Sequence, residues 1–177
     1  MPILSTPRLT LHPLTQEDAG DIFEVRGDPE AMAFWDWPND ESLAATAAIV
    51  DQLVREAAAG HALYWVVRQC QDGRFVGLCD LSELRGPQAD IGFMFVRRFW
   101  GLGFAQEAVL CILAQARALG LRSVRARIHH DNDRSARLLA RAGFHEIDLL
   151  PRVEIRPGVF RDCRLFTIDL IGPSRER

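Results

Sequence analysis

The residues best suited to chemistry form the run Arg98-Phe99-Trp100-Gly101-Leu102-Gly103-Phe104-Ala105. It follows a stretch with strand character and opens an apolar stretch with helical spacing. Glycines at alternate positions let the backbone turn sharply and bring amide N–H groups close to a ligand. A helix N-terminus adds unpaired donors and a partial positive charge. Together these features make a cradle for an anion such as a pyrophosphate. The run is not a Walker loop, because Gly-Lys-Ser/Thr is missing and the chain has no lysine at all. Nor is it a dinucleotide fingerprint. That motif needs a third glycine where Gln106 stands, and it follows the first strand of a parallel βαβ unit.

A second run comes later: Asn132-Asp133-Arg134-Ser135-Ala136-Arg137-Leu138-Leu139-Ala140-Arg141-Ala142-Gly143-Phe144. Arg-x-x-Gly-x-Gly at a strand-to-helix junction, a helix, a strand, then Asn-x-x-Ser and a helix ending Ala-Gly-Phe resembles the GNAT superfamily of acyl-CoA-dependent N-acetyltransferases. The start, Thr6-Pro7-Arg8-Leu9-Thr10-Leu11-His12-Pro13-Leu14-Thr15-Gln16-Glu17-Asp18, resembles the branch that includes the RimJ/RimL ribosomal-protein N-terminal acetyltransferases. So do Asp90-Ile91-Gly92-Phe93 and Gly158-Val159-Phe160-Arg161-Asp162-Cys163. The likeness covers residues 5–170, nearly the whole chain.

The resemblance implies an acetyl-CoA cleft where two neighbouring parallel strands, Ala89–Val96 and Leu121–Ile128, splay apart. The backbone of Phe93, Met94, Phe95 and Val96 would pair with the pantetheine arm. The amides of Gly101, Leu102, Gly103, Phe104 and Ala105 would hold the pyrophosphate, with Arg98 at the family's position just before that loop. Asn132 and Ser135 match positions that approach the pantetheine and the thioester sulfur. Arg134, Arg137 and Arg141 share one helix face by spacing. Arg137 is the first choice among them for the 3′-phosphate, with a solvated basic face as the alternative.

Acyl transfer to an amine makes three demands. The attacking amine must lose a proton, the carbonyl oxygen needs a donor as charge builds on it, and the departing thiolate needs a proton or hydrogen bond. A backbone N–H of the Phe93–Phe95 strand suits the oxygen. Many relatives answer the thiolate with a tyrosine in the last helix. Here that position is Leu139, and the sole tyrosine is Tyr64, on an earlier strand. Ser135 is the substitute. Asp90, on the cleft strand, is the first candidate for the base, ahead of Asp80, Glu83 and a relay of water. His129 and His130 are adjacent on a strand and point to opposite faces, so no metal is expected. The segment between the first two helices covers the acceptor side in this fold, which places Phe34, Trp35 and Trp37 against the substrate.

The elements that must position these residues are legible in the spacing. Thr6–Pro13 alternates as a strand. Thr15 caps a helix that runs to Arg26 and stops at Gly27-Asp28-Pro29. Phe34–Pro38 is a loop, and Asp40 or Asn39 caps a helix through Ala59. Ala62–Gln69 and Arg74–Leu81 form a hairpin across Gln71-Asp72-Gly73, followed by the strand Ala89–Val96. Phe104–Leu119 is a helix, Leu121–Ile128 a strand, and Asn132–Ala142 a helix closed by Gly143. Phe144–Leu149 and Val159–Ile171 complete the sheet. The fold class is α/β in the broad sense (α+β): a single domain over residues 1–177. A mixed, mostly antiparallel central sheet with a splayed parallel pair carries helices on both faces.

Composition fits a soluble globular chain: 177 residues, 48% hydrophobic and 25% charged. Its 21 basic residues are all arginine. Residues 1–89 balance at −8 and residues 90–177 at +5. That asymmetry suggests a polyanion site in the second half and a cationic acceptor toward the first. The four cysteines form no CxxC pair, which excludes zinc-ribbon and thioredoxin-like spacing. No leader and no membrane-length apolar run are visible. The expected partners are acetyl-CoA and an amine acceptor, without nucleic acid or membrane, in a cytoplasmic monomer or homodimer. The rival readings are a catalytically degenerate acyl-CoA-binding regulator and a nucleotide-binding module.

Overall fold

The computed structural model describes residues 1–170. Its first strands are β1 (Leu4–Ser5) and β2 (Leu9–Pro13), the latter with Leu9 and Leu11 turned into the core. Thr15 is extended, and its N–H and hydroxyl both donate to the Asp18 carboxylate at 2.9 Å. That fixes a short 3-10 turn, Gln16–Asp18, before helix α1 (Ala19–Arg26).

Helix α2 (Leu43–Ala58) starts later than its sequence signals suggest. Its cap is Ser42, whose hydroxyl accepts from the Ala45 N–H at 3.2 Å, and not Asp40 or Asn39. The Asp40 carboxylate is already occupied by a two-pronged bond with Arg26 at 2.7 and 2.9 Å, and by the Thr46 hydroxyl at 2.6 Å. A buried cation claimed the carboxylate that a local rule assigned to the helix end.

The rest follows in order: β3 (Leu63–Gln69), β4 (Phe75–Arg85), β5 (Gln88–Phe95), α3 (Phe104–Ala118), β6 (Ser123–His129), α4 (Asp133–Arg141), β7 (His145–Arg156) and β8 (Val159–Asp169). Strand β7 runs seven residues beyond the expected Leu149, because its pairing with β8 continues to Arg156↔Val159. Ile171, expected to end the last strand, lies outside the described residues.

The eight strands form one sheet in the order β1-β2-β3-β4-β5-β6-β8-β7. Every neighbouring pair is antiparallel except β5 and β6. Those two pair in parallel only at Gln88↔Ser123, Ala89↔Val124 and Asp90↔Arg125. Beyond Asp90 they separate, so the second half of β5 keeps a partner on the β4 side alone.

Helices cover both faces. Tyr64 and Asp80 are register partners on one face, where the Tyr64 hydroxyl donates to Glu56 of α2. Cys79 points to the other face, beneath α3. Trp65, Val66, Val67, Ile112, Leu113 and Leu139 are fully buried between these layers. Each such aliphatic side chain contributes about 1.5–3 kcal/mol on burial. The core lies under β3, β4 and β5, and this holds the splay rigid from one side.

Candidate active site

Gly101 and Gly103 sit at φ +78° and +81°, in the left-handed region that favours glycine. Gly103 is the N-terminal cap of α3 and offers no side chain to its first turn. Among the described residues, the N–H groups of positions 101 to 106 donate to no protein acceptor; the first that does is Glu107, to Gly103. Six consecutive donors with the helix dipole behind them are therefore open.

The loop is braced from the N-terminal strand. Arg8 Nε binds Glu107 Oε2 at 2.6 Å, and Arg8 Nη1 binds the Leu102 carbonyl at 3.0 Å. The Arg8 guanidinium also lies over the Phe104 ring. The Thr6 hydroxyl and the Arg8 N–H both donate to Glu107 Oε1. Partial burial pushes the Glu107 carboxyl up, but these hydrogen bonds outweigh it and hold the group below its ordinary value.

The open N–H groups border a cavity of about 760 Å³. Phe93, Met94 and Phe95 of β5 form one wall, with Trp100, Gly101, Gly103 and Ala105 continuing it. Helix α4 forms the other through Asn132, Ser135, Arg137 and Leu138. The Asn132 side chain caps α4 by accepting from the Ser135 N–H at 3.1 Å. Among the described residues the Ser135 hydroxyl has no hydrogen-bond partner. Arg134 stacks on Trp100, 3.7 Å from the ring centre, while Arg137 and Arg141 line the cavity without an acidic partner among the described residues.

A smaller pocket of about 180 Å³ joins this cavity at Phe34, Trp35, Phe93, Asn132 and Ser135. Gly92, Arg127, His129 and Cys163 line it further in. Asp36 is its one lining carboxylate among the described residues, and it is engaged by Arg127 at 2.6 Å and by His129 at 3.2 Å.

Asp80 lies just beyond this pocket. A Cβ placed on Gly92 would fall 2.2 Å from the Asp80 carboxylate, so any side chain there would displace it. Burial pushes the Asp80 carboxyl up to about 6, although the Ser82 hydroxyl and the Gly92 N–H pull the other way.

Several expected residues are placed elsewhere. Asp90 lines neither cavity; it is held by Arg125 at 2.9 Å where β5 and β6 still pair. The splay begins after it, so the structure does not bring it to the site. The Arg98 side chain pairs with Glu24 and lies over Phe99, away from the cavity. The Val96 N–H donates to Val76, and its carbonyl accepts from Phe99, so this backbone is not open to a ligand. Trp37 is 55% exposed and lines neither cavity, whereas Phe34 and Trp35 line both. Leu139 is buried in the core, and Leu138 meets the cavity instead. Tyr64 is far off on β3, where burial first and the Glu56 hydrogen bond second push its hydroxyl up.

The charge asymmetry is also corrected. Six acids of the first half are already engaged by arginines. Glu24 pairs with Arg98, Asp28 and Glu30 with Arg97, Asp36 with Arg127, and Asp18 and Asp21 with Arg68. Arg97, Arg98 and Arg127 reach these acids from the second half, whereas Arg68 belongs to the first. Asp36, Arg127, Arg8 and Glu107 went unnoticed in the sequence, since their partners lie about ninety or more positions away and no local spacing marks them. Among the described residues no three His, Cys, Asp or Glu side chains are grouped to hold a metal ion. No helix among the described residues is long and apolar enough to cross a membrane.

Comparison with known proteins adds independent findings. The family model described as an acetyltransferase (GNAT) domain matches residues 8–145. An uncharacterised N-acetyltransferase, YoaA of Bacillus subtilis, is 26% identical over 170 residues, which covers 94% of this chain and 96% of that protein. Among solved structures, a spermidine N-acetyltransferase from Vibrio cholerae, in complex with CoA and spermine, superposes with a TM-score of 0.81 at 20% identity, covering 93% of this chain and 97% of its own. RimL, a ribosomal L7/L12 alpha-N-protein acetyltransferase in complex with coenzyme A, superposes with a TM-score of 0.83 at 18% identity, covering 95% and 98%.

Proposed function

The chain belongs to the acetyltransferase (GNAT) domain family, and from that premise we propose that it transfers acetyl from acetyl-CoA to a compact primary amine such as a peptide N-terminus or an amino acid. The observation that carries this reading is the row of six open N–H groups, on a turn with left-handed glycines, bordering a cavity that continues into a second pocket. A pyrophosphate meets those donors. The pantetheine arm runs along Phe93, Met94 and Phe95, whose strand edge lacks a neighbour after the splay. Arg137 and Arg141 face the 3′-phosphate.

The thioester then lies where the two cavities join, beside Asn132 and Ser135. The amine enters through the smaller pocket, against Phe34 and Trp35. Its nitrogen attacks the thioester carbonyl carbon, and the carbon–sulfur bond breaks. The Ser135 hydroxyl, which has no hydrogen-bond partner among the described residues, hydrogen-bonds the departing thiolate, which takes up the second proton that the nitrogen loses as the amide forms. The ammonium proton passes, directly or through water, to Asp80, whose raised pKa suits a base working near neutrality. Asp80 takes the role first assigned to Asp90.

The related folds include a spermidine N-acetyltransferase and a ribosomal-protein alpha-N-acetyltransferase, and one feature favours the second kind of acceptor here. A polyamine needs several free carboxylates spaced along its chain. The one carboxylate lining the smaller pocket among the described residues, Asp36, is already paired with an arginine and a histidine. The test is thiol release from acetyl-CoA across a panel of peptides, amino acids, polyamines and drug amines. Turnover on single amines above polyamines is the expected result. Tight acetyl-CoA binding with no turnover on any amine would instead support the degenerate, CoA-binding regulator.

A further inference from the structure

Residues 28 to 42, between α1 and α2, contain no helix and no strand. They nevertheless form one wall of the smaller pocket through Phe34, Trp35 and Asp36. The ends of the segment are tied by Arg97 to Asp28 and Glu30, and by Arg26 to Asp40. Between Trp35 and Asp40 no backbone N–H of the segment finds a backbone acceptor among the described residues. What holds the middle is Asp36. Its carboxylate meets Arg127 Nη2 at 2.6 Å and His129 Nε2 at 3.2 Å, and its carbonyl accepts from Arg156 Nη1 at 2.7 Å. Phe34 packs edge-on against the same His129 ring.

Those partners lie on β6 and at the end of β7, across the splay from β5. One aspartate therefore bridges the opened sheet and carries an aromatic wall with it. We propose that Asp36 is the positioning residue for the acceptor: it latches residues 34–37 to the far side of the splay and so shapes the pocket that receives the amine. This rests on the reading that the smaller pocket takes the acceptor. The pair is half-buried and charge-assisted, which makes it stronger than an exposed ion pair. Removing the carboxylate has two consequences. The wall loses its side-chain anchor, and Arg127 loses its acid partner beside an incoming ammonium.

The test pairs an activity-free readout with kinetics on Asp36→Ala, Asp36→Asn and Asp36→Glu. Hydrogen exchange of the Trp35 and Asp40 N–H groups, which donate to Met32 and Arg26 on either side of the latch, should rise by about tenfold or more in Asp36→Ala. With the best acceptor of the amine panel, its KM should rise by about tenfold or more, while the Kd of acetyl-CoA stays within about twofold. Asp36→Asn keeps the shape without the charge and should fall between Asp36→Ala and wild type. Asp36→Glu should restore acceptor KM to within about threefold of wild type. Unchanged exchange in Asp36→Ala overturns the latch. Raised exchange with an unchanged acceptor KM overturns its role in acceptor binding. An equal loss of acetyl-CoA affinity would show general damage and overturn it too. If the wild type acetylates no amine, the transferase reading fails by itself, and the exchange measurement alone decides whether the latch exists.

Discussion

The two ends of the cleft are held in place by the same device and built from different materials. At the cofactor end, Arg8 and Glu107 clamp the glycine turn; at the acceptor end, Arg127 and Asp36 clamp an irregular segment. Each pair joins residues about ninety or more positions apart in sequence. The difference lies in the backbone. The glycine turn is the junction of a paired strand and a fifteen-residue helix, so its donors are aimed by regular structure. The acceptor wall has no regular structure, and side chains alone aim it. A site for an invariant anion can be built into the strand–helix framework. A site for a variable amine is mounted on a segment that can change without disturbing the sheet.

The sharpest break of this comparison is Gly103→Glu. It adds a side chain where φ is +81° and a negative charge where the phosphates lie, so acetyl-CoA binding should be lost by calorimetry. Retained affinity would remove the loop assignment. Residues 34–37 should keep their wild-type hydrogen exchange, because the acceptor end has its own anchor.

Next in size is Asp80→Asn. Loss of the base should cost about 10²–10⁴ in kcat. In the wild type, kcat/KM should fall as pH drops through about 6, where the Asp80 carboxyl takes up its proton. The stability effect has the opposite sense. The folded-state pKa lies above the ordinary 3.8, so the ionised carboxylate opposes folding. That penalty is absent below the unfolded pKa, grows as pH rises toward 6, and is complete above it. Asp80→Asn should therefore raise Tm by a few degrees at pH 8, on the order of 2–4 °C per kcal/mol recovered, and by little at pH 4. A Tm unchanged at pH 8, or an unshifted pH profile, would remove Asp80.

Ser135→Ala comes third, with a fall in kcat of about tenfold to a hundredfold and little change in acetyl-CoA affinity. An unaffected kcat would release Ser135 from the thiolate. Smallest is Arg8→Ala, the mirror of the acceptor latch. It should raise the KM for acetyl-CoA about three- to tenfold and leave acceptor KM alone, since the α3 terminus still supplies most of the donors. A matching rise in acceptor KM would show that the two ends are not independent.

The same contrast explains what could be read ahead. Gly101, Gly103, Asn132 and Ser135 carry local signals: glycines at a turn, a cap at a helix start. Short-range rules found them because short-range geometry uses them. Asp90 misled because a carboxylate on the right strand says nothing about where the strand stops pairing. The splay point, one residue further on, is a property of two strands. Asp40 misled as a cap because Arg26 reached it first.

The sequence by itself determined the family, the order of elements, and the residues at the glycine turn and the last helix. These depend on periodicity and on φ preferences that each residue carries with it. The tertiary structure decided which carboxylate lies next to the pocket, which aromatics line it, and which acid each arginine meets. Such outcomes depend on which groups meet across the fold. An arginine is drawn to whichever acid the packing brings near it, and spacing along the chain does not encode that. Of the two pairs that hold the ends of the cleft, Asp36–Arg127 joins a first-half acid to a second-half arginine, and Arg8–Glu107 runs the other way.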